Sequence, residues 1–157
     1  MSDAQLFAFE NDFVASLRCI PMAVRMKLDR CAIKLSLRQW SRFGREDRQH
    51  LLERPCRSPA QVDAYRAGLV ELVNLRTGEK AAPLEVPPLA LRESATEVPL
   101  VVTTYARSID VAPPTLADWC TLDELQRYVL IKLTRDSHDN INFIPAMQEF
   151  GLLGERG

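Results

Sequence analysis

The chain has 157 residues, of which 46% are hydrophobic and 26% charged, and its net charge is −1. A chain of this size buries roughly 70% of its unfolded surface, so it can hold a core without disulfides or metal. The composition is that of an ordinary globular protein, and no run approaches the roughly 20 apolar residues of a membrane span.

The opening stretch Met1–Phe9 has no basic segment and no long apolar run, so no signal peptide is expected and a cytoplasmic location is. A first helix is predicted around Asn11 to Arg18, bearing Phe13, Val14 and Leu17. Pro21 can open a second helix running to about Ala32, with Val24, Leu28 and Cys31 on its inner face. Ser36 with Gln39 forms a capping box, and Leu37, Trp40 and Phe43 are predicted to share a face before Gly44. Residues 45–54 are a further predicted helix that buries Leu51 and Leu52 and is closed by Pro55. Ser58, Pro59 and Gln61 then give the strongest start signal in the chain. From it a helix is predicted over 59–76, with Val62, Tyr65, Leu69, Leu72 and Val73 as its stripe and Gly78 as its stop.

Residues 77–98 form a Pro-rich connector, expected either extended and pinned by Leu84, Val86, Leu89 and Leu91 or mobile. Beyond it the pattern starts again. Pro99, Val102, Ala106, Ile109 and Val111 correspond to Pro21, Val24, Leu28, Cys31 and Ile33. After one extra residue at Pro113-Pro114, Thr115, Leu116 and Trp119 match Ser36, Leu37 and Trp40. Leu122, Arg127, Leu130 and Ile131 match Phe43, Arg48, Leu51 and Leu52, and Ser137 falls where Ser58 does. This is an internal repeat about 78 residues long. It decides the ambiguous run Val98–Val111, whose β-branched residues could form a strand: 99–109 is predicted helical. Thr121 and Glu124 are predicted to cap a helix to about Leu133, and Pro145 to open a short last helix ended by Gly151. The expected fold is all-α, a compact single domain over 1–157 of about seven to eight helices. Its repeated halves span 9–76 and 99–151.

Catalytic chemistry is hard to find in these residues. No Gly-rich phosphate loop, metalloprotease motif or nucleophile elbow is present, so the chain is read as leaning away from an enzyme. Cys19, Cys31, Cys56 and Cys120 are scattered, and the only histidines are His50 and His138. A disulfide framework or zinc site is not expected, and no cofactor is implied. The cysteines read as small core hydrophobes, with Cys56 the best-placed reactive thiol because basic residues flank it. The polar group of Arg135, Asp136, His138, Asp139, Asn140 and Asn142 reads as a capping loop or, less directly, an acid–base site. Arg48 and Arg127, at equivalent repeat positions, either hold helix carbonyls or clamp an anion.

Charge is uneven. Arg18 to Arg57 contains eleven Lys or Arg and four acidic residues. Arg25, Lys27, Arg30, Lys34, Arg38, Arg42 and Arg45 are predicted to form a basic face that docks an acidic protein surface. A solvated face without a partner is the plainer alternative. Nucleic acid is disfavoured, because the isoelectric point is about 6.1 and no aromatic platform is interleaved with the basic residues.

A family resemblance adds to this. The runs Phe9-Glu10-Asn11-Asp12-Phe13-Val14, Ser16-Leu17-Arg18-Cys19-Ile20-Pro21-Met22, Val24-Arg25 and Lys27-Leu28-Asp29 resemble the opening of the nitrate reductase-associated protein family. Ile131-Lys132-Leu133, His138, Asn140, Asn142-Phe143, Pro145-Ala146 and Glu149-Phe150 resemble its close. Trp40, Arg48, Leu51, Pro55-Cys56 and the Pro59 helix fit its middle. Asp136-Ser137 departs from the Pro-Gly turn expected there. The resemblance implies a small protein encoded near genes for assimilatory nitrate reductase and molybdenum-cofactor synthesis, with no established activity. The expected role is therefore a non-catalytic accessory protein that binds nitrate reductase or a protein of its molybdenum-cofactor maturation. The alternative is a small-ligand protein, for an anion or cofactor, with a pocket between the halves near Trp40, Arg48, Trp119, Arg127 and His138.

Overall fold

The computed structural model of the protein describes residues 5–10, 19–85, 96–134 and 141–153. The predicted first helix and Ser137 lie outside them, as do Val86, Leu89 and Leu91 of the connector. Helices dominate the described residues, and the chain divides into two compact units, Met1–Pro88 and Leu89–Gly157.

The first unit begins with a 3₁₀ turn, Ala8–Glu10, and continues with helix α1, Met22–Arg30. Pro21 precedes α1 and offers no side-chain cap. The buried carboxylate of Glu10 supplies one instead, accepting hydrogen bonds from the backbone N–H of Met22 at 3.0 Å and of Phe7 at 3.1 Å. An anion there satisfies a free helix amide and complements the helix dipole. A short strand β1, Ile33–Lys34, follows, then α2, Leu37–Arg42, and α3, Arg45–Glu53. The Ser36–Gln39 box caps α2 as predicted. The long helix α4, Pro59–Thr77, has the predicted Ser58–Gln61 box at one end and Gly78 at φ 74° at the other. It packs on α1 and α2 through Tyr65, Leu69 and Val73, spaced by four residues so that all three lie on one side.

Asp47 ties the ends of α3 and α4 together. Its carboxylate accepts the Gly44 N–H at 2.9 Å and the Arg76 Nε–H at 2.9 Å. Partial burial works to raise the Asp47 pKa, but the Arg76 guanidinium and the Gly44 amide outweigh it and hold the carboxyl below its ordinary value.

In the second unit α5 is Leu100–Ser108, α6 Leu116–Thr121, α7 Glu124–Lys132 and α8 Phe143–Glu149. The repeat is visible in the backbone. Helices of 9, 6 and 9 residues occur in the same order in both units. Each first helix ends on a left-handed residue 78 positions from its twin, Ala32 at φ 58° and Asp110 at φ 59°. Each tryptophan is 0% exposed, and its N–H returns to the capping residue's carbonyl, Ser36 at 3.0 Å and Thr115 at 2.9 Å. The run rich in β-branched residues is helical as the repeat required, because Val102 and Ala106 bury on one face of α5.

Four local expectations need correction. Leu37 is 58% exposed and does not join Trp40 and Phe43 in the core. A six-residue helix is too short to carry a stripe of its own, and Leu37 opens it at the rim. The cap of α7 is Asp123, whose carboxylate accepts the Gln126 N–H at 2.7 Å. Thr121 is still the last residue of α6, and its hydroxyl donates to the Asp118 carbonyl at 2.6 Å. Helix α8 starts at Phe143, before Pro145, which a first turn tolerates because its amides have no partner inside the helix. Finally, part of the connector is a strand. Residues Ala82–Pro83 form β2, antiparallel to β1 with Ile33 opposite Pro83. The Leu84 N–H extends the pairing to the Ala32 carbonyl at 2.8 Å. Two residues give no periodicity to read, and proline is acceptable at such an edge.

The depressed Asp47 carboxyl sets a pH test. Its contribution is present above the unfolded-state pKa and is lost as pH falls through the lower folded value. Asp47→Asn should therefore unfold at lower urea than the wild type at neutral pH. The gap should narrow as pH drops below about 4. A gap that stays constant across that titration rules the pairing out as a contributor.

Candidate functional site

The predicted basic face divides into residues that serve the interior and residues that face outward. Lys27 belongs to the interior. It is 0% exposed, and its ammonium donates to the carbonyls of Leu52 at 2.6 Å and Arg54 at 2.7 Å. These carbonyls terminate α3, where the helix dipole favours a cation and the last carbonyls have no intrahelical donor. The assignment of Lys27 to a docking face is therefore corrected: helical spacing placed it beside Arg30, but its long side chain runs inward to a polar target. Half-buried Arg25 donates from Nε to the Ile20 carbonyl at 3.1 Å. Half-buried Arg30 donates to the Cys56 carbonyl at 3.3 Å. Tyr65 adds a hydroxyl to the same region, donating to the Leu51 carbonyl at 2.8 Å, and burial pushes its pKa up. Arg66 reaches the carbonyls of Cys31 and Ala32.

The remaining predicted residues of the face, Lys34, Arg38, Arg42 and Arg45, are all exposed. Arg38 pairs with Glu79 just beyond the end of α4. The side chains of Lys34, Arg42 and Arg45 make no hydrogen bond or ion pair among the described residues. Leu37, in the same stretch from β1 to the start of α3, is exposed as well, so this stretch presents cations and one large apolar side chain. Hydrophobic patterning missed Leu37 as a surface feature. The exposure of its twin Leu116, at 50%, shows that the repeat itself sets this position outward.

The pocket and anion candidates fall in separate units. Arg48 donates from Nε to the Trp40 carbonyl at 3.2 Å and from Nη2 to the Ser41 carbonyl at 3.1 Å. Its guanidinium also stands 5.8 Å from the Trp40 ring centroid. Arg127 donates to the Leu122 carbonyl. Each arginine thus engages carbonyls at the end of the tryptophan helix of its own unit. His138 lies outside the described residues, together with Arg135, Asp136, Asp139 and Asn140.

The reactive-thiol expectation for Cys56 is overturned. Cys56 is 0% exposed and its thiol donates to the Lys27 carbonyl at 3.7 Å. Its basic neighbours point elsewhere, while its own side chain fills the core. Burial, reinforced by Cys56 nearby, pushes the Cys31 thiol up to about 12. Cys120 is the exposed cysteine among the described residues. Those residues contain no group of three or more His, Cys, Asp or Glu placed to hold a metal ion. They also contain no helix long and apolar enough to cross a membrane.

Fold and surface together define an all-α protein of duplicated helical series, with an exposed cationic face on its first unit. The chain belongs to the family described as conserved nitrate reductase-associated protein, whose model matches residues 6–150. No curated protein and no solved structure matches the chain.

Two predictions follow from the interior. Lys27→Met keeps most of the volume but leaves two buried carbonyls without their donor, so it should cost roughly 2–4 kcal/mol in urea unfolding. An unchanged midpoint would show that the ammonium contributes nothing. Thiol labelling of the folded protein should modify Cys120, and Cys31 and Cys56 should react only after unfolding. Mass spectrometry of the labelled peptides decides it, and early labelling of Cys56 would contradict its burial.

Proposed function

We propose that the protein is a non-catalytic accessory protein that docks on assimilatory nitrate reductase, or on a protein that matures its molybdenum cofactor. Membership of the nitrate reductase-associated family supports the partner class. The observation that carries the docking role is the outward surface of Lys34, Arg42 and Arg45, charged side chains that no group among the described residues neutralises. Such side chains steer an acidic partner toward the face and suppress wrong orientations. The interior cations do the opposite work. Lys27, Arg25, Arg30 and Arg48 are held by the protein's own carbonyls. The charge excess legible between Arg18 and Arg57 therefore contains two populations, and the outer one is proposed to meet the partner.

Affinity purification of the tagged protein from nitrate-grown cells tests this reading. Reductase or cofactor-maturation proteins should be recovered at low ionic strength and lost when salt is raised to about 0.5 M, where screening is complete within a few ångströms. Their absence from the low-salt eluate defeats the proposal.

A further inference from the structure

Building on the docking role proposed above, we infer that the surface from Lys34 to Arg45 is the binding site. Its partner is an acidic protein segment that presents an apolar side chain to Leu37. The second unit is an internal control for what the helical series needs in order to fold. At the twin positions of Arg38, Arg42 and Arg45 it carries Ala117, Thr121 and Glu124. With those residues it builds the same helix lengths, stops its first helix on the same left-handed backbone and buries its tryptophan equally. The nine-, six- and nine-residue series therefore forms without these three arginines, and the ion pair that they supply is the exposed one of Arg38 with Glu79.

Arg45 is in fact placed against the local field. It opens α3, where the helix dipole disfavours a cation, whereas Glu124 opens α7 with the favoured charge. Arg48 and Arg127 give the contrast. An arginine is kept in both units, and in both it holds helix-end carbonyls. The carbonyl-holding arginine is kept in both units, whereas the outward arginines Arg38, Arg42 and Arg45 occur in the first unit alone.

The composition of the patch sets the chemistry of its occupant. Between Lys34 and Arg45 the chain exposes four cations, Lys34, Arg38, Arg42 and Arg45, and one large apolar side chain, Leu37. An exposed apolar side chain in a stretch of exposed cations suits a protein partner that offers an apolar contact together with acidic groups. The twin leucine, Leu116, is exposed too, but the stretch that carries it lacks the three arginines. A polyanionic nucleic acid fits less well. Exposed Glu46 adjoins Arg45, and among the described residues the exposed large side chains include leucines, isoleucines and a valine but no aromatic ring.

Fluorescence anisotropy with the full-length protein tests the inference. The probe is a labelled helix-forming peptide of glutamate and leucine. Its controls are a glutamate-only peptide, a lysine–leucine peptide and a single-stranded oligonucleotide. The variant R38A/R42T/R45E installs the second unit's own residues. It should keep the wild-type unfolding midpoint and bind the glutamate–leucine peptide at least about tenfold more weakly. Leu37→Ser should also weaken that binding and erase the preference over the glutamate-only peptide. Arg42→Glu, at a single exposed position, provides the same reading if the triple variant unfolds early. Unchanged peptide binding by the triple variant or by Arg42→Glu overturns the inference, as does tighter binding of the oligonucleotide. A wild-type protein that binds the peptide yet recovers no nitrate-assimilation protein from cells defeats the partner assignment alone and leaves the site standing.

Discussion

The first unit depends on a buried ammonium. Where α3 ends, its last carbonyls point into protein rather than water, and an unpaired buried carbonyl is costly. Lys27 reaches them from α1, and Tyr65 reaches the neighbouring Leu51 carbonyl from α4. Three helices are thus fixed in register by one cation and one hydroxyl whose targets lie on a single turn of backbone. Hydrophobic contacts alone would hold these helices together but would specify their register less tightly. A polar group with a single satisfactory partner is more selective.

The second unit places different chemistry at the equivalent position. The residue at Lys27's twin position is Tyr105, which packs edge-on against Phe143 at 5.0 Å. One backbone plan is therefore stabilised by a cation–carbonyl set in one unit and by aromatic packing in the other. Charge also divides between the units. Met1–Pro88 has fourteen Lys and Arg against eleven Asp and Glu, while Leu89–Gly157 has six against ten.

The helical plan was legible because its signals are local. Ser36, Ser58 and Gly78 act on the backbone next to them, and the second tryptophan segment repeats the first closely enough to correct the β-branched run before α6. What could not be read depends on contacts distant in sequence. Lys27 and Arg30 have the same charge and nearly the same place on α1, yet one ends 0% exposed because α3 terminates above it. Cys56 looks activated by its neighbours until the fold turns its side chain inward. The strand pairing of Ile33–Lys34 with Ala82–Pro83 joins segments almost fifty residues apart. Of the surface, the arginines were visible as charge, but the exposure of Leu37 was not, because its spacing groups it with Trp40 and Phe43 on one face.

The nine-, six- and nine-residue series also bears on how the chain acquires its structure. Inside the first series the reach from Lys27 to Arg54 spans only 27 positions, although other bonds tie the series to α4 and β2. Loops that short close quickly, and topologies rich in near-neighbour contacts fold fast. The amino-terminal series can therefore assemble while the remainder is still leaving the ribosome. Duplication of such a module lengthens a protein without lengthening its search for the native state.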